Sequence, residues 1–247
     1  MSDSSQYFMS SSNDKIAYKC NGLKSDTTIF FFGGYASSMT GTKATSLQNW
    51  TLKKNLNFVR FDYSGHGESE GSFKEGTITK WSLEAEEIFN KFKNKKNIII
   101  GSSMGGWISL IVTKKNLNHI HGVIGIASAP DFIVEQWDKL SKNEQLEFKK
   151  TGSMFFPDPD HGDYEVSYKF VNDGFNNLLL NNEINIKCPI RLLHGKQDKV
   201  VPVNTSQRII EKILSEDKDL IVIDDGDHSL SRIEDLNILF DQIEYLV

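Results

Sequence analysis

Six short runs of β-branched and aromatic residues, separated by amphipathic stretches, most strongly limit the folds open to this sequence. Each run is nearly all apolar, which is typical of strands that are buried on both faces of a sheet. Because such strands alternate with helical stretches, the sequence predicts an α/β fold, with a mostly parallel central sheet flanked by helices. The six runs are Thr27–Phe32, Phe58–Tyr63, Asn97–Ile100, Val123–Ala127, Ile190–Leu193 and Leu220–Ile223.

The stretches between these runs place apolar residues at helical spacing. The clearest is a stripe that begins at Met104 and continues through Trp107, Ile108 and Ile111. This spacing puts the apolar side chains on one face of a helix. Three further helices are predicted in the same way, and two early segments predict an antiparallel hairpin before the sheet. The helices are Trp81–Phe92, Gln207–Leu214 and Ile233–Leu246, and the hairpin segments are Tyr7–Met9 and Ile16–Cys20.

The alternation stops between Pro130 and Lys187, where we identify no strand-like run. This stretch contains helical pieces at Asp131–Leu140 and Asn143–Lys150, followed by the turn-rich segment Phe155–Asp163. Insertions over the strand ends of α/β sheets often act as lids. We therefore predict one domain over residues 1–247 with a small helical cap at about 130–187. The alternative is a packed lobe that takes no part in a site.

The most informative motif is Gly101-Ser102-Ser103-Met104-Gly105, which matches G-x-S-x-G. It follows a buried run and opens an amphipathic stripe, which is the strand–turn–helix setting of a nucleophile elbow. In such a turn, the two glycines let neighbouring backbone approach closely, and the helix N-terminus favours a negative oxygen. The glycine spacing selects Ser103, rather than Ser102, as the predicted nucleophile.

A serine nucleophile needs a histidine base and a carboxylate that orients that base. His228 lies between the last predicted strand and the last predicted helix, where a loop can bring its imidazole to Ser103. His194 lies inside the run IRLLHG and is expected to pack beneath the site. Asp198 lies beyond the carboxyl end of a predicted strand, where sites in α/β sheets form, and is the predicted acid. Asp131 is the alternative acid.

The oxyanion of an acyl-transfer intermediate needs two backbone N–H donors. One is expected from Met104, the residue after the predicted nucleophile. The other is expected from the loop after the first buried run, which reads Gly33-Gly34-Tyr35, and there the donor position is Tyr35. We expect the Tyr35 ring to be a core aromatic. This does not prevent the backbone N–H of Tyr35 from acting as an oxyanion donor.

Two other patterns resemble a metal site and a nucleotide-binding loop, but each lacks residues that such a site needs. His119 and His121 form an H-x-H pair, but no third ligand with matching spacing accompanies them, so no metal site is predicted. The segment Phe61–Ser69 (FDYSGHGES) lacks both G-x-G-x-x-G and the Lys-Ser/Thr ending of phosphate loops. We expect this segment to form a turn behind the oxyanion loop, and we expect no cofactor.

The composition of the chain excludes several classes of binding partner and indicates where the protein is located. The formal net charge is −5, and a mildly acidic chain is a poor candidate for nucleic-acid binding, which usually needs a basic face. Two cysteines are too few for a disulfide framework, and no apolar run is long enough to span a membrane. Residues 1–12 carry no secretory or transit features, so we expect a cytoplasmic protein, as a monomer or small homo-oligomer.

The motifs GSSMGG, FDYSGHGES, HGKQDKVVP and DGDH occur in the order and spacing of the α/β-hydrolase family. The chain resembles that family over essentially its whole length. The segments FFGGYASSMTGTKA and CPIRLLHGKQDKVVP look like those of mitochondrial depalmitoylases, a branch also described as acyl-glucuronide esterases. By motif, the resemblance gives Ser103, Asp198 and His228 the nucleophile, acid and base roles, and Tyr35 and Met104 the oxyanion donors.

The resemblance implies a serine hydrolase that cleaves carboxylic esters or acyl thioesters of a small-molecule or acylated substrate through an acyl-enzyme. A serine peptidase or a C–C bond hydrolase of the same fold is an alternative, because the same three residues serve those reactions too. A non-catalytic ligand-binding member of the fold is an alternative of another class. Such a protein has no need to keep all three residues, so their joint presence favours the enzyme.

Overall fold

An eight-stranded sheet forms the centre of the computed structural model, which describes residues 4–22, 24–157 and 162–247. A second sheet, of two strands, lies in the predicted cap. The strands are β1 (Gln6–Met9), β2 (Lys15–Asn21), β3 (Thr27–Phe32), β4 (Asn57–Phe61), β5 (Lys96–Ser102), β6 (Gly122–Ile126), β7 (Ser153–Phe156), β8 (Tyr164–Ser167), β9 (Ile190–Gly195) and β10 (Lys218–Ile223).

Helices connect most of these strands and pack on both faces of the large sheet. The helices are α1 (Thr42–Lys53), α2 (Ile78–Phe92), α3 (Met104–Lys115), α4 (Phe132–Lys139), α5 (Lys142–Thr151), α6 (Tyr168–Gly174), α7 (Val203–Lys212) and α8 (Ile233–Leu246).

The order of strands in the large sheet is β1-β2-β4-β3-β5-β6-β9-β10. The pairs β1–β2 and β2–β4 are antiparallel, and all the other neighbours are parallel. Each of the six apolar runs forms a strand of this sheet, and the early hairpin is also present. The predicted mostly parallel sheet is therefore confirmed.

Alternate side chains of the central strands enter two separate cores. On β3, Phe30 and Phe32 join the cluster that contains residues of α2 and α3. Ile29 and Phe31 point to the opposite face and join the cluster with residues of α1 and α8. All four side chains are at most 5% exposed. Burial on both faces explains why these strands are continuous apolar runs and do not alternate with polar residues.

Helices α2 and α7 begin before their predicted starts; α7 begins at Val203 rather than at Gln207. Helix α2 begins at Ile78, three residues before the predicted start, because the Thr77 side chain accepts a hydrogen bond from the N–H of Lys80 and caps the first turn. Helix α1 is not predicted at all. Its sequence is largely polar, and among its residues only Ala44, Leu47 and Thr51 are buried. Because so few residues of α1 are buried, its sequence shows little of the apolar periodicity that predicts a helix.

The segment between β6 and β9 contains three helices, α4, α5 and α6, as well as the antiparallel hairpin β7–β8. The expectation that this stretch lacks strands is therefore wrong. Its strands are only four residues each, and they are held by packing: Phe148 of α5 contacts Phe156 of β7, and both side chains are at most 6% exposed. Residues 158–161 of the turn-rich segment lie outside the described residues.

Candidate active site

Ser103 occupies the sharp turn between β5 and α3, with φ 54° and ψ −117°. Non-glycine residues rarely adopt this backbone conformation, which costs on the order of 1–3 kcal/mol. The turn depends on close backbone contacts. A Cβ on Gly101 would collide with the carbonyl oxygen of Gly105, and a Cβ on Gly105 would collide with that of Phe32. Only glycine fits at either position, as the motif predicts.

The hydroxyl of Ser103 faces the imidazole of His228. Ser103 Oγ is 3.2 Å from His228 Nε2, and His228 Nδ1 is 2.7 Å from Asp198 Oδ2. The Asp198 side chain is fully buried, whereas that of His228 is 16% exposed. A neutral imidazole carries one hydrogen, and the carboxylate contact places it on Nδ1. Nε2 is then free to accept the proton of Ser103.

Both carboxylate oxygens of Asp198 have partners. Oδ1 accepts hydrogen bonds from the backbone N–H groups of Val200 and Val201, each at 2.8 Å. Oδ2 contacts His228 and also lies 3.2 Å from Nε2 of His194. Burial by itself raises the pKa of Asp198, but the two histidines and the Val201 N–H outweigh burial and hold that pKa below its ordinary value. Asp198 therefore stays ionised.

His194 lies near the end of β9 and is completely buried. Its Nε2 is 2.9 Å from the carbonyl oxygen of Val201, and its Nδ1 is 2.7 Å from Ser206 Oγ. The residue packs beneath the site, as predicted. Its contact with Asp198 was not predicted, because a strand end and the following loop do not have a fixed geometry that spacing alone can give.

Asp131, the alternative acid, has different partners. Its two carboxylate oxygens accept hydrogen bonds from the backbone N–H groups of Leu179 and Leu180, each at 2.9 Å. Burial raises the pKa of Asp131, although these two N–H groups partly offset the increase. The carboxylate thus joins the start of α4 to a later loop of the cap, and its hydrogen bonds are with backbone rather than with His228.

The loop after β3 lies against the Ser103 turn. A Cβ built on Gly34 would be 3.4 Å from the Cβ of Ser103, so the next residue, Tyr35, begins beside the predicted nucleophile. Met104 is the first residue of α3, and the first N–H groups of a helix have no partner within it. The structure brings both residues to this turn, and their role as oxyanion donors stays a prediction.

The segment Phe61–Ser69 supports this loop from behind, as expected. The N–H of Ala36 donates to Nε2 of His66 at 3.2 Å, and the N–H of Met39 donates to Oδ1 of Asp62 at 2.6 Å. Burial lowers the pKa of His66 to about 4, against the smaller opposite effect of the Ser64 carbonyl oxygen. His66 is therefore a neutral acceptor near neutral pH.

The side chain of Tyr35 joins the same loop to the cap. Its hydroxyl donates to the carbonyl oxygen of Glu165 on β8 at 2.9 Å, and its ring stacks on Phe170 of α6, with centroids 5.3 Å apart. Burial raises the pKa of the Tyr35 phenol, with smaller contributions from Tyr164 and Glu165. The hydroxyl therefore stays protonated and keeps its role as a donor.

A cavity of about 600 Å³ opens beside Ser103 and His228. The cap supplies part of its wall through Phe132, Gln136 and Tyr164. This volume falls in the range of small-molecule sites, about 300–1,000 Å³. The apolar part of the lining comes from the sheet (Phe31), the cap (Phe132, Pro157 and Tyr164), α1 (Ala44) and loops (Ala36, Ala129, Val200 and Val201), and polar residues such as Ser37 and Lys199 complete it.

Lys43, in the first turn of α1, was missed from the sequence. Its Nζ donates to the carbonyl oxygen of Ser229 and to Oγ of Ser231 at 3.4 Å, which ties α1 to the loop that carries His228. Burial lowers the pKa of Lys43 to about 8, although Asp227 and Asp235 act in the opposite direction. Lys43 and Ser229 are 186 residues apart, and no local pattern could have linked them.

Within residues 4–22, 24–157 and 162–247, no cluster of three His, Cys, Asp or Glu side chains has metal-binding geometry. His121 of the H-x-H pair accepts a hydrogen bond at Nδ1 from the N–H of Asn97, at 3.2 Å. In the same part of the chain, no helix has the length and apolar character needed to cross a bilayer.

The Hydrolase_4 family model, described as serine aminopeptidase, S33, matches residues 24–161 and 164–235. The chain belongs to this family. Because the chain belongs to this family, it is a hydrolytic enzyme. Its motifs GSSMGG and HGKQDKVVP lie within the matched ranges.

This Hydrolase_4 member is similar to the mitochondrial palmitoyl-protein thioesterase ABHD10 of mouse, with 34% identity over 94% of this chain and 78% of the mouse protein. The human protein of the same name is also 34% identical, over 94% of this chain and 76% of its own length. The predicted resemblance to that branch is confirmed.

Two solved structures match this Hydrolase_4 member closely in fold. Mouse alpha/beta hydrolase domain-containing protein 10 superposes with a TM-score of 0.92 at 32% identity, covering 98% of each chain. A hydrolase from Agrobacterium vitis S4 also gives 0.92, at 31% identity, over 99% of this chain and 98% of its own. The predicted α/β-hydrolase fold is confirmed.

Proposed function

We propose that this protein is a serine hydrolase that cleaves acyl thioesters and esters, with Ser103 as nucleophile, His228 as base and Asp198 as acid. The observation that carries the proposal is the unbroken series of contacts from Ser103 Oγ to His228 and from His228 to Asp198, at 3.2 and 2.7 Å. A serine at an unfavourable φ, paired with an imidazole backed by a buried carboxylate, has the arrangement of an activated nucleophile.

In the proposed reaction, Ser103 Oγ attacks the acyl carbon while its proton passes to Nε2 of His228. The N–H groups of Tyr35 and Met104 hold the resulting oxyanion. His228 then gives its proton to the departing thiolate or alkoxide, which leaves the acyl group on Ser103. Water attacks this acyl-enzyme as His228 accepts its proton; the bond between the acyl carbon and Ser103 Oγ then breaks, His228 returns the proton to Oγ, and the carboxylic acid is released. Every step uses groups of the chain, and no cofactor is part of the proposal.

For the substrate, we propose an acyl thioester with a long aliphatic chain, carried by a protein or a small molecule. Two observations support this choice. The relatives named above are palmitoyl-protein thioesterases, and the cavity lining includes apolar residues of both the sheet and the cap, Phe31 and Phe132. Each buried methylene of an acyl chain contributes about 0.8 kcal/mol, so such walls favour longer chains.

The domain organisation and the location belong to the same proposal. Residues 1–247 form one α/β-hydrolase domain, in which the segment at about 130–187 acts as a cap that covers the acyl chain. Apolar cap residues such as Trp137 and Phe170 share one core with the sheet, which supports a single unit. A cytoplasmic location and a monomer or small homo-oligomer stay predictions, although the relatives are named mitochondrial. Cell fractionation and light scattering test them.

Covalent labelling tests the proposed nucleophile. The folded protein is treated with a fluorophosphonate and its intact mass is measured, alongside Ser103→Ala and a matched variant, Ser109→Ala. Ser109 is a buried serine of α3 that hydrogen-bonds to the carbonyl oxygen of Gly106. We expect one adduct on the wild type and on Ser109→Ala, and none on Ser103→Ala. A folded wild type that takes no label contradicts the proposal and favours a ligand-binding protein.

A substrate panel then separates the reactions. Thioesters and oxyesters with the same acyl groups, from short to long, are compared with an aminoacyl amide. Hydrolysis of long-chain thioesters with the highest kcat/KM is the expected result. A preference for the aminoacyl amide would instead support the peptidase alternative, and Ser103→Ala must be inactive on every substrate that the wild type cleaves.

A further inference from the structure

His194 is a fully buried imidazole whose two ring nitrogens both have polar partners. Nε2 faces two acceptors, the carbonyl oxygen of Val201 at 2.9 Å and Oδ2 of Asp198 at 3.2 Å. Nδ1 is 2.7 Å from the hydroxyl of Ser206 on α7. An Nε2 without hydrogen would place three acceptors together, so the hydrogen is on Nε2. Nδ1 then accepts the hydroxyl proton of Ser206.

These contacts continue the series that begins at Ser103. Asp198 Oδ2 lies between two imidazoles, with Nδ1 of His228 at 2.7 Å on one side and Nε2 of His194 on the other. His194 also binds the carbonyl oxygen of Val201, whose N–H donates to Asp198 Oδ1. One side chain therefore holds both the carboxylate and the backbone turn that presents it.

We propose that His194 is a positioning residue, a second imidazole that holds Asp198 in the orientation His228 needs; this inference rests on the proposed function. His194 touches neither substrate nor the reacting atoms, and it acts only through Asp198. The positive charge on His228 develops as Ser103 attacks, and a carboxylate already fixed in place stabilises that charge without reorganising. Ser206 keeps His194 in the required tautomer by donating to Nδ1.

A purely packing role does not explain this arrangement. A buried polar group is costly unless it is hydrogen-bonded, and an apolar side chain would fill the same space without that cost. The polar atoms of His194 instead match their neighbours one by one: a donor faces Val201 and Asp198, and an acceptor faces Ser206. These matched hydrogen bonds indicate that His194 holds the loop that carries Asp198 and does not merely fill space.

Two substitutions separate positioning from packing. In His194→Gln, the amide nitrogen stands near the former Nε2 and can still donate to the Asp198 turn. In His194→Asn, the shorter side chain places its amide near the former Nδ1, and the turn loses its donor. The control for a general loss of stability is Thr51→Val. Thr51 is fully buried and lies at the far end of α1.

Three readouts are needed: kcat and KM on a thioester substrate, the midpoint of thermal unfolding, and the low-field proton resonance of the His228–Asp198 hydrogen bond. We expect His194→Asn to lower kcat on the order of 10²-fold, because small misplacements of a catalytic group have this cost. KM should change little, and the resonance should shift or broaden. His194→Gln should recover most of kcat and restore the resonance, while Thr51→Val should keep both.

Wild-type kcat and an unchanged resonance in folded His194→Asn would overturn the inference while leaving the proposed function standing. Equal losses in the Asn and Gln variants that follow only their thermal midpoints would also overturn it, because packing alone then explains them. Failure of the proposed function has a different signature: the wild type itself takes no fluorophosphonate label and hydrolyses no ester.

Discussion

The hydroxyl of Tyr35 donates a hydrogen bond to the backbone carbonyl oxygen of Glu165 at 2.9 Å. Tyr35 belongs to the loop beside the predicted nucleophile, whereas Glu165 lies on the β7–β8 hairpin of the cap. The same residue therefore offers its N–H to the expected oxyanion and its side chain to the cap. One side chain thus joins the cap hairpin to the loop that carries the predicted oxyanion donor.

Tyr35→Phe removes this link and keeps the ring. We expect kcat to fall roughly tenfold, equivalent to about 1.4 kcal/mol of transition-state stabilisation, because the oxyanion loop loses its anchor. The free energy of unfolding should fall by only about 1 kcal/mol, the usual value for one hydrogen bond. Steady-state kinetics and denaturant unfolding measure both. The control is Tyr168→Phe, at a tyrosine of the cap that packs on Trp137, and it should leave kcat unchanged. Equal losses in the two variants would refute the link.

Asp198→Asn tests the predicted acid. The amide would present a donor or a weaker acceptor to His228 and would favour the wrong imidazole tautomer, so kcat should fall on the order of 10⁴-fold. The matched control is Asp225→Asn. Asp225 is closer to His228 along the chain, but its carboxylate pairs with Arg232 on the surface. Near-wild-type kcat for Asp198→Asn in a folded protein would require another acid.

Lys43→Met tests the support of the loop that carries His228. Without the Nζ donor, the carbonyl oxygen of Ser229 keeps the Ser231 hydroxyl as a donor but loses its link to α1, and the loop gains freedom. We expect kcat to fall on the order of tenfold to 10²-fold, because a slightly displaced base transfers protons poorly. Lys54→Met removes a lysine from the other end of α1, where it pairs with Glu244. Single-turnover measurements with both variants should show the loss for Lys43 alone.

His66 predicts a dependence of stability on pH. Its pKa in the folded protein, about 4, lies below the ordinary value of 6.5. The unfolded chain therefore binds more protons between these two values, and the free energy of unfolding falls as the pH drops from about 6.5 to 4, by a few kcal/mol. His66→Gln keeps an acceptor for Ala36 but does not titrate. Urea unfolding across this window should show the difference between wild type and variant, and parallel curves would contradict it.

The sheet could be predicted from the sequence because its signals are local. The run Asn97–Ile100 and the stripe after Met104 each carry enough periodic apolar residues to define β5 and α3. The glycines of G-x-S-x-G define the turn between them, because backbone atoms occupy the space of any side chain there. By the same logic His228 and Asp198 could be placed at strand ends, where parallel sheets bring such residues together.

The features that were missed depend on contacts between distant parts of the chain. The β7–β8 hairpin has two four-residue strands, and Phe155 on it is 64% exposed, so its sequence has no strand pattern of its own. Lys43 resembles any surface lysine until α1 packs beside the loop of Ser229. His194 was placed correctly beneath the site, but its hydrogen-bond partners follow from the path of the loop after β9, which spacing does not determine.

The order of strands in the sheet has a consequence for synthesis of the protein. Ser103 and His228 are 125 residues apart, and they meet only when β6 and β9 have docked between β5 and β10. Parallel pairings between distant segments form slowly. A nascent chain that has passed Ser103 but not His228 therefore lacks the base that we propose for this serine. Under the proposed function, the nucleophile therefore gains its base only when the whole parallel part of the sheet has formed.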